Sequence, residues 1–333
     1  DGTPPPPPPP PPVALVAGAG EDLPKAGPLS AEGAVGSTAG GADYSAAELD
    51  MLALLLTMVK VLFVQGRLAP LPALINALEP ARAGRKLHLT LVRNEHAYYC
   101  CVAQLLPSLV ATLPLLELPT EQAAGTVHVI GDSHCLPYGW RVIEPLGQKV
   151  LLRPVLVTGL KAWHLRPQSD FFPKANFWHA AASLPHGARA VALFGEIDCR
   201  EALLICVERK RYESVEEGAA AVIDVYVSAL LELAERRKLA KLWVHAVPPV
   251  LNETRRVVRL FNRILRQKVL AASGASSPLV WLEGMEETML DGAGDEAGLN
   301  PELKLDGTHM HPRCAGLLEA ALLRSGWEPM ASS

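Results

Sequence analysis

The rhythm of hydrophobic and polar positions changes once along the chain, near Thr126. Upstream, Ser45-Ala46-Ala47-Glu48 makes a capping box and opens an apolar run over 49–64 that Gln65-Gly66 stops. Asp50 and Lys60 bracket an uncharged stretch shorter than the roughly 20 residues a bilayer requires, so the run predicts a buried helix. Residues 71–78 and 87–106 predict two more helices, the second with Arg93-Asn94-Glu95 inside an otherwise apolar and aromatic stretch. From Thr126 on, short apolar runs alternate with amphipathic ones. Strands are predicted at 127–130, 150–158, 190–194, 241–246 and 279–282, and helices at 215–237, 253–270 and 313–324. This alternation predicts a parallel sheet with helices on both faces, and right-handed crossovers make it a three-layer, doubly wound α/β/α domain.

Composition sets the limits of that domain. With 333 residues, 49% hydrophobic and 20% charged, the chain can bury a full core. Residues 1–43 stand apart, with an unbroken proline run from Pro4 to Pro12 followed mostly by Ala, Gly, Pro and Ser. Prolines favour an extended polyproline rod and the remainder has no apolar face, so 1–43 is expected to be a disordered linker, with docking to a proline-binding domain as the functional alternative. The expected organisation is linker 1–43, helical segment 44–118 and α/β domain 119–333. The helix, Gln-Gly turn and helix resemble one unit of a tetratricopeptide-type array, which makes this segment, like the proline run, a place for a protein partner. Net charge is -4 and the basic residues are scattered, with Arg209-Lys210-Arg211 and Arg236-Arg237-Lys238 reading as solvated faces, so nucleic acid is not an expected partner. The six cysteines form no CxxC spacing, which points to reduced thiols and a reducing compartment; a Cys135 to Cys199 bridge is the one pairing their positions suggest. No basic-then-apolar leader follows Asp1, so any targeting signal would precede it and the compartment stays open.

The change of rhythm falls on Thr-Val-His-Val-Ile-Gly-Asp-Ser-His-Cys over 126–135. A strand ending in a small-residue turn holds a hydroxyl at the carboxyl edge of the sheet, where open α/β folds place their chemistry, so Ser133 is the first candidate nucleophile. Alone, it reads equally as a turn residue or cap. Far downstream comes Asp306-Gly307-Thr308-His309, and a carboxylate three residues before an imidazole can orient it to accept a serine's proton. His311 competes for the role of base, but only His309 has this spacing.

These blocks resemble those of the SGNH, or GDSL, hydrolases, over roughly 126–327. Gly131-Asp132-Ser133-His134 matches the first block with His in place of Leu, and Asp306-Gly307-Thr308-His309 matches the last. The resemblance implies a flavodoxin-like fold, Ser133 as nucleophile, His309 as base and acid, Asp306 as its orienting partner, and no metal or cofactor. It also implies an oxyanion site from the Ser133 N–H, the Gly159 N–H and a third-block asparagine. That asparagine is missing: aligning Gly195 puts Ile197 in its place and Asp198 on the family's aspartate. If 195–200 is extended, Glu196, Asp198 and Arg200 share a face, and Arg200 is the best substitute donor, held by Asp198 or Glu196, with His134 the second choice. Trp163 and His164, beyond Gly159, would line the substrate cleft together with His134, Glu196 and Asp198. The expected activity is ester hydrolysis through an acyl-enzyme, on an O-acylated carbohydrate or small ester. The alternatives are an O-acyltransferase with the same triad and a binding scaffold that keeps the fold without turnover.

Overall fold

The computed structural model describes residues 44–109, 125–274 and 277–329; the linker 1–43 and the boundary at 118/119 lie outside the described residues. The main sheet holds β1 (Thr126–Gly131), β2 (Arg141–Ile143), β3 (Val150–Leu156), β4 (Arg189–Leu193), β5 (Lys241–Val244) and β6 (Leu279–Trp281), in the order β2-β3-β1-β4-β5-β6. All neighbours are parallel except β2, which runs antiparallel to β3 at the edge. Helices cover the sheet in a three-layer α/β/α arrangement, so β1 and β4 are buried along nearly their whole length instead of alternating. The strand β2 escapes pattern reading because three residues are too few to show a period.

The topology creates the site's position. From β1 the chain goes to β3 on one side and comes back through β4 on the other, so the carboxyl end of β1 is a switch point where a crevice opens. Gly131 ends β1 there because the strands close in: a Cβ on it would lie 1.7 Å from the Leu193 carbonyl oxygen. Ser133 follows two residues later.

The helical segment holds α1 (Ala46–Val64), α2 (Leu71–Arg82) and α3 (Arg93–Leu105). The capping box of α1 is formed, Glu48 N donating to Ser45 Oγ at 3.3 Å and Ser45 N to Glu48 Oε2 at 2.8 Å. Its Leu52, Leu56, Val59 and Phe63 are buried on one stripe. The continuous helix expected over 87–106 is split: Leu87–Leu89 forms a separate 3₁₀ turn, and Thr90 Oγ1 donates to the Leu87 carbonyl at 2.7 Å while accepting from Val92 N at 3.3 Å. Such a local side-chain bond competes with helix continuation, and α3 restarts at Arg93. This segment and the sheet share one hydrophobic core, and two side chains after the turn Ser133–Tyr138 tie them together. Trp140 Nε1 donates to the Phe63 carbonyl at 2.6 Å, and Arg141 donates to the Leu105 carbonyl at 3.2 Å and to Ser108 Oγ at 2.6 Å. A cation there also offsets the negative end of α3.

Of the remaining helices, α4 (Phe172–Ala182) was not legible as a period, whereas α5 (Val215–Arg237), α6 (Arg255–Ala272) and α7 (Cys314–Arg324) lie within two residues of their predicted spans. Among the described residues no helix is long and apolar enough to cross a membrane. All six cysteines are free, so the Cys135 to Cys199 bridge does not form.

Candidate active site

Asp132 caps the 3₁₀ turn Ser133–Tyr138 that follows β1. Its Oδ1 accepts both the His134 backbone N–H and His134 Nδ1–H at 2.9 Å, which leaves His134 Nε2 buried and without a hydrogen bond among the described residues. Burial pushes the His134 imidazole down most strongly, but the charge and hydrogen bond of Asp132 together carry it above its ordinary value. Ser133 occupies the first position of this turn, half-buried, with its backbone N–H where no intrahelical acceptor exists.

The second imidazole comes from the loop before α7. Asp306 makes an Asx turn: Oδ1 accepts from Thr308 N and His309 N, both at 2.7 Å, while Oδ2 accepts Nδ1–H of His309 at 2.9 Å. Burial raises the Asp306 carboxyl most, but the His309 contact and the two backbone N–H groups overcome it and hold it at about 2. His309 is likewise pushed down by burial, then raised to about 9 by Asp306 and by Cys101, with His134 opposing. With Nδ1–H donated to the carboxylate, Nε2 is the nitrogen free to take a proton. His311 makes no such pair; its Nδ1 accepts from Arg313 N at 3.2 Å and its ring is half-exposed.

The two imidazoles face the same crevice, ring centres 5.7 Å apart. This puts His309 beside the turn that carries Ser133, although no hydrogen bond of the Ser133 hydroxyl is formed among the described residues. Cys101 of α3 joins them, Cys101, Asp306 and His309 each bringing one polar atom within 4.8 Å of the others. The three offer a donor set for a metal, but both Asp306 oxygens are already engaged by N–H groups, so the carboxylate is committed to hydrogen bonding. Neither Asp132 as an orienting carboxylate nor Cys101 was evident in the sequence. Asp132 two residues before His134 is a signal of a local side-chain bond; Cys101, inside an apolar helix, offers none.

The third block departs from the extended reading. Gly195 adopts φ +116°, a left-handed conformation that glycine accommodates, and the chain then coils into a π-type turn at Asp198–Ala202. The shared face of Glu196, Asp198 and Arg200 is therefore lost. Asp198 turns inward, its oxygens accepting Ala162 N at 2.7 Å and Trp163 N at 3.1 Å, and it thereby ties this turn to the loop after Gly159. Burial, against those two bonds, takes its carboxyl up to about 7. Arg200 is held by Glu196, with Nε 3.3 Å from Oε2 at helical spacing, and by Glu201 at 3.4 Å, and makes no pair with Asp198. Glu196 is buried, and burial raises its carboxyl against the pull of His134 and Arg200. Ile197 is half-buried.

Gly159 ends the β3 loop at φ +67° and is exposed, with no backbone acceptor for its N–H among the described residues. Beyond it, Trp163 is half-buried under the Arg166 guanidinium, 4.7 Å from the ring centre, with Tyr212 edge-on at 6.5 Å. His164 is buried against Phe171 at 4.9 Å, and burial takes its imidazole down to about 4.

No family model and no curated protein matches the chain. Among solved structures, the backbone is similar to Axe2, an acetylxylan esterase from Geobacillus stearothermophilus, at TM-score 0.37 and 16% identity over 62% of this chain and 97% of that one. A substituted form of Axe2, described as an acetyl-xylooligosaccharide esterase, gives TM-score 0.37 and 16% identity over 61% and 94%, and a catalytic mutant gives 0.36 and 16% over 62% and 97%.

Proposed function

We propose that the chain is an SGNH-type serine ester hydrolase in which Ser133 attacks the acyl carbon, His309 takes its proton and passes it to the leaving alcohol, and Asp306 orients the imidazole. The observation that supports this most is the Asp306 carboxylate fixed by two backbone N–H groups and presented to Nδ1 of a buried histidine beside the Ser133 turn. A serine hydroxyl needs a neutral base, and a carboxylate on Nδ1–H selects the tautomer whose Nε2 accepts. The Ser133 and Gly159 N–H groups supply the oxyanion site, with the Arg200 guanidinium replacing the absent asparagine. O-acylated carbohydrates or small esters are the substrate class, with Trp163 as platform. The O-acyltransferase alternative uses the same residues, with a sugar hydroxyl in place of water.

One observation favours the scaffold reading: Ile197 has no donor and Arg200 is already engaged by two carboxylates. An ester panel on wild type and Ser133→Ala decides. The proposal expects hydrolysis that Ser133→Ala abolishes, rising with pH toward about 9 as His309 loses its proton. Hydrolysis unchanged in Ser133→Ala would exclude this nucleophile, and Ile197→Asn bringing turnover to an inert wild type would mark a lapsed enzyme.

A further inference from the structure

Helix α3 does more than pack against the sheet. Arg141 fixes its carboxyl end, and the helix lies against the 133–138 turn. From it Cys101, 0% exposed, brings Sγ within 4.8 Å of a His309 ring nitrogen and of an Asp306 carboxylate oxygen. His309 Nδ1 is taken by Asp306 at 2.9 Å and approached by Thr308 Oγ1 at 3.2 Å, and the thiol lies close to the carboxylate as well as to the ring.

We propose that Cys101 is a positioning residue of the catalytic centre, its thiol packed against both Asp306 and His309 and holding the pair in register. This rests on the triad reading. Burial separates the two candidate nucleophiles: Ser133 is half-exposed, whereas Cys101 is sealed from substrate, so the thiol acts through the base. The arrangement makes the helical segment an integral wall of the site.

The groups that face His309 are Asp306 from its own loop, Cys101 from α3 and His134 from the 133–138 turn; Cys100, also on α3, lies close enough to sense Asp306. Asp306 and Cys101 favour the imidazolium and His134 disfavours it. Removing the thiol therefore lowers the pH at which His309 titrates.

The test is an NMR titration of the histidine ring signals in the full chain, comparing wild type, Cys101→Ala and Cys101→Ser, with His309→Gln to assign the signal. The pH profile of kcat/KM and fluorophosphonate labelling of Ser133 are recorded alongside. The His309 midpoint should fall in Cys101→Ala and lie in between for Cys101→Ser, whose hydroxyl can still hydrogen-bond the ring, and the rise of kcat/KM should move down with it. An unmoved midpoint in folded variants overturns the proposal, as does activity lost equally at every pH with the rise unmoved, the mark of a packing role. Should Cys101→Ala fail to fold, the nearly isosteric Cys101→Ser carries the same criterion. A moved midpoint with Ser133 unlabelled in wild type would sink the esterase reading while upholding the contact between thiol and imidazole.

Discussion

The crevice holds two carboxylate–imidazole pairs with the same 2.9 Å contact to Nδ1 and different surroundings. In Asp132–His134 both residues are buried, Asp132 Oδ2 and His134 Nε2 lack hydrogen-bond partners among the described residues, and the buried neighbour is another carboxylate, Glu196. In Asp306–His309 the carboxylate is half-buried, its oxygens are satisfied by three N–H groups, and the ring meets Cys101. A pair whose carboxylate is fully hydrogen-bonded is preorganised for repeated proton transfer, whereas an under-bonded buried pair chiefly holds a turn at the expense of desolvation. On the proposed function, the chemistry belongs to the pair farther from Ser133 in sequence, and the nearer one gives the turn its shape.

The largest separation of the two is expected on rate. Asp306→Asn should lower kcat on the order of 10³ to 10⁴-fold by releasing the tautomer, with the fold intact. Asp132→Asn, which can still cap the turn, should lower the rate less than about tenfold and stability by about 1–2 kcal/mol, read by denaturant melts. Equal rate losses would dissolve the distinction.

A smaller effect is expected where the third block borders the Asp132–His134 pair. Arg200→Ala leaves Glu196 buried beside His134 without its guanidinium, so stability should drop by about 1–3 kcal/mol, less than for a fully buried pair because Arg200 is about one-third exposed. If Arg200 also serves the oxyanion, kcat falls about a hundredfold in the folded variant. No change in either would return Arg200 to a surface role.

Much of this was legible in the sequence because it depends on local period. The strands and the helix 215–237 follow from alternation and amphipathicity, and the Asp306-to-His309 spacing is short enough for one Asx turn to realise. The course of 195–202 was not legible. Alternation suggested an extended strand end, whereas Asp198 pairing with two N–H groups 35 and 36 residues away pulls the chain into a π-type turn. The approach of Cys101 to His309 likewise depends on how α3 docks, which no spacing encodes. Nor did the apolar run 87–106 show its break at Thr90, where a single hydroxyl outcompetes the helix.

The smallest expected effect is in the pH dependence of stability. His309, raised to about 9, contributes fully below its ordinary 6.5 and loses that contribution as pH rises through about 9; Asp306, held at about 2, contributes above 3.8 and loses it as pH falls through about 2. The difference in stability between wild type and His309→Gln should therefore be greatest from about pH 4 to 6.5 and shrink by roughly 1–3 kcal/mol toward pH 9. A flat difference would mean that the imidazole is not held by its carboxylate.

The central claim is that Ser133 is activated by the Asp306–His309 pair. Wild type and the variants His309→Gln and His134→Gln are incubated with a fluorophosphonate near pH 9, and the peptide carrying Ser133 is followed by mass spectrometry. The account predicts labelling at Ser133 that survives His134→Gln in folded protein and vanishes with His309→Gln. Labelling that persists without His309 but is lost without His134, or no labelling of folded wild type, would contradict it.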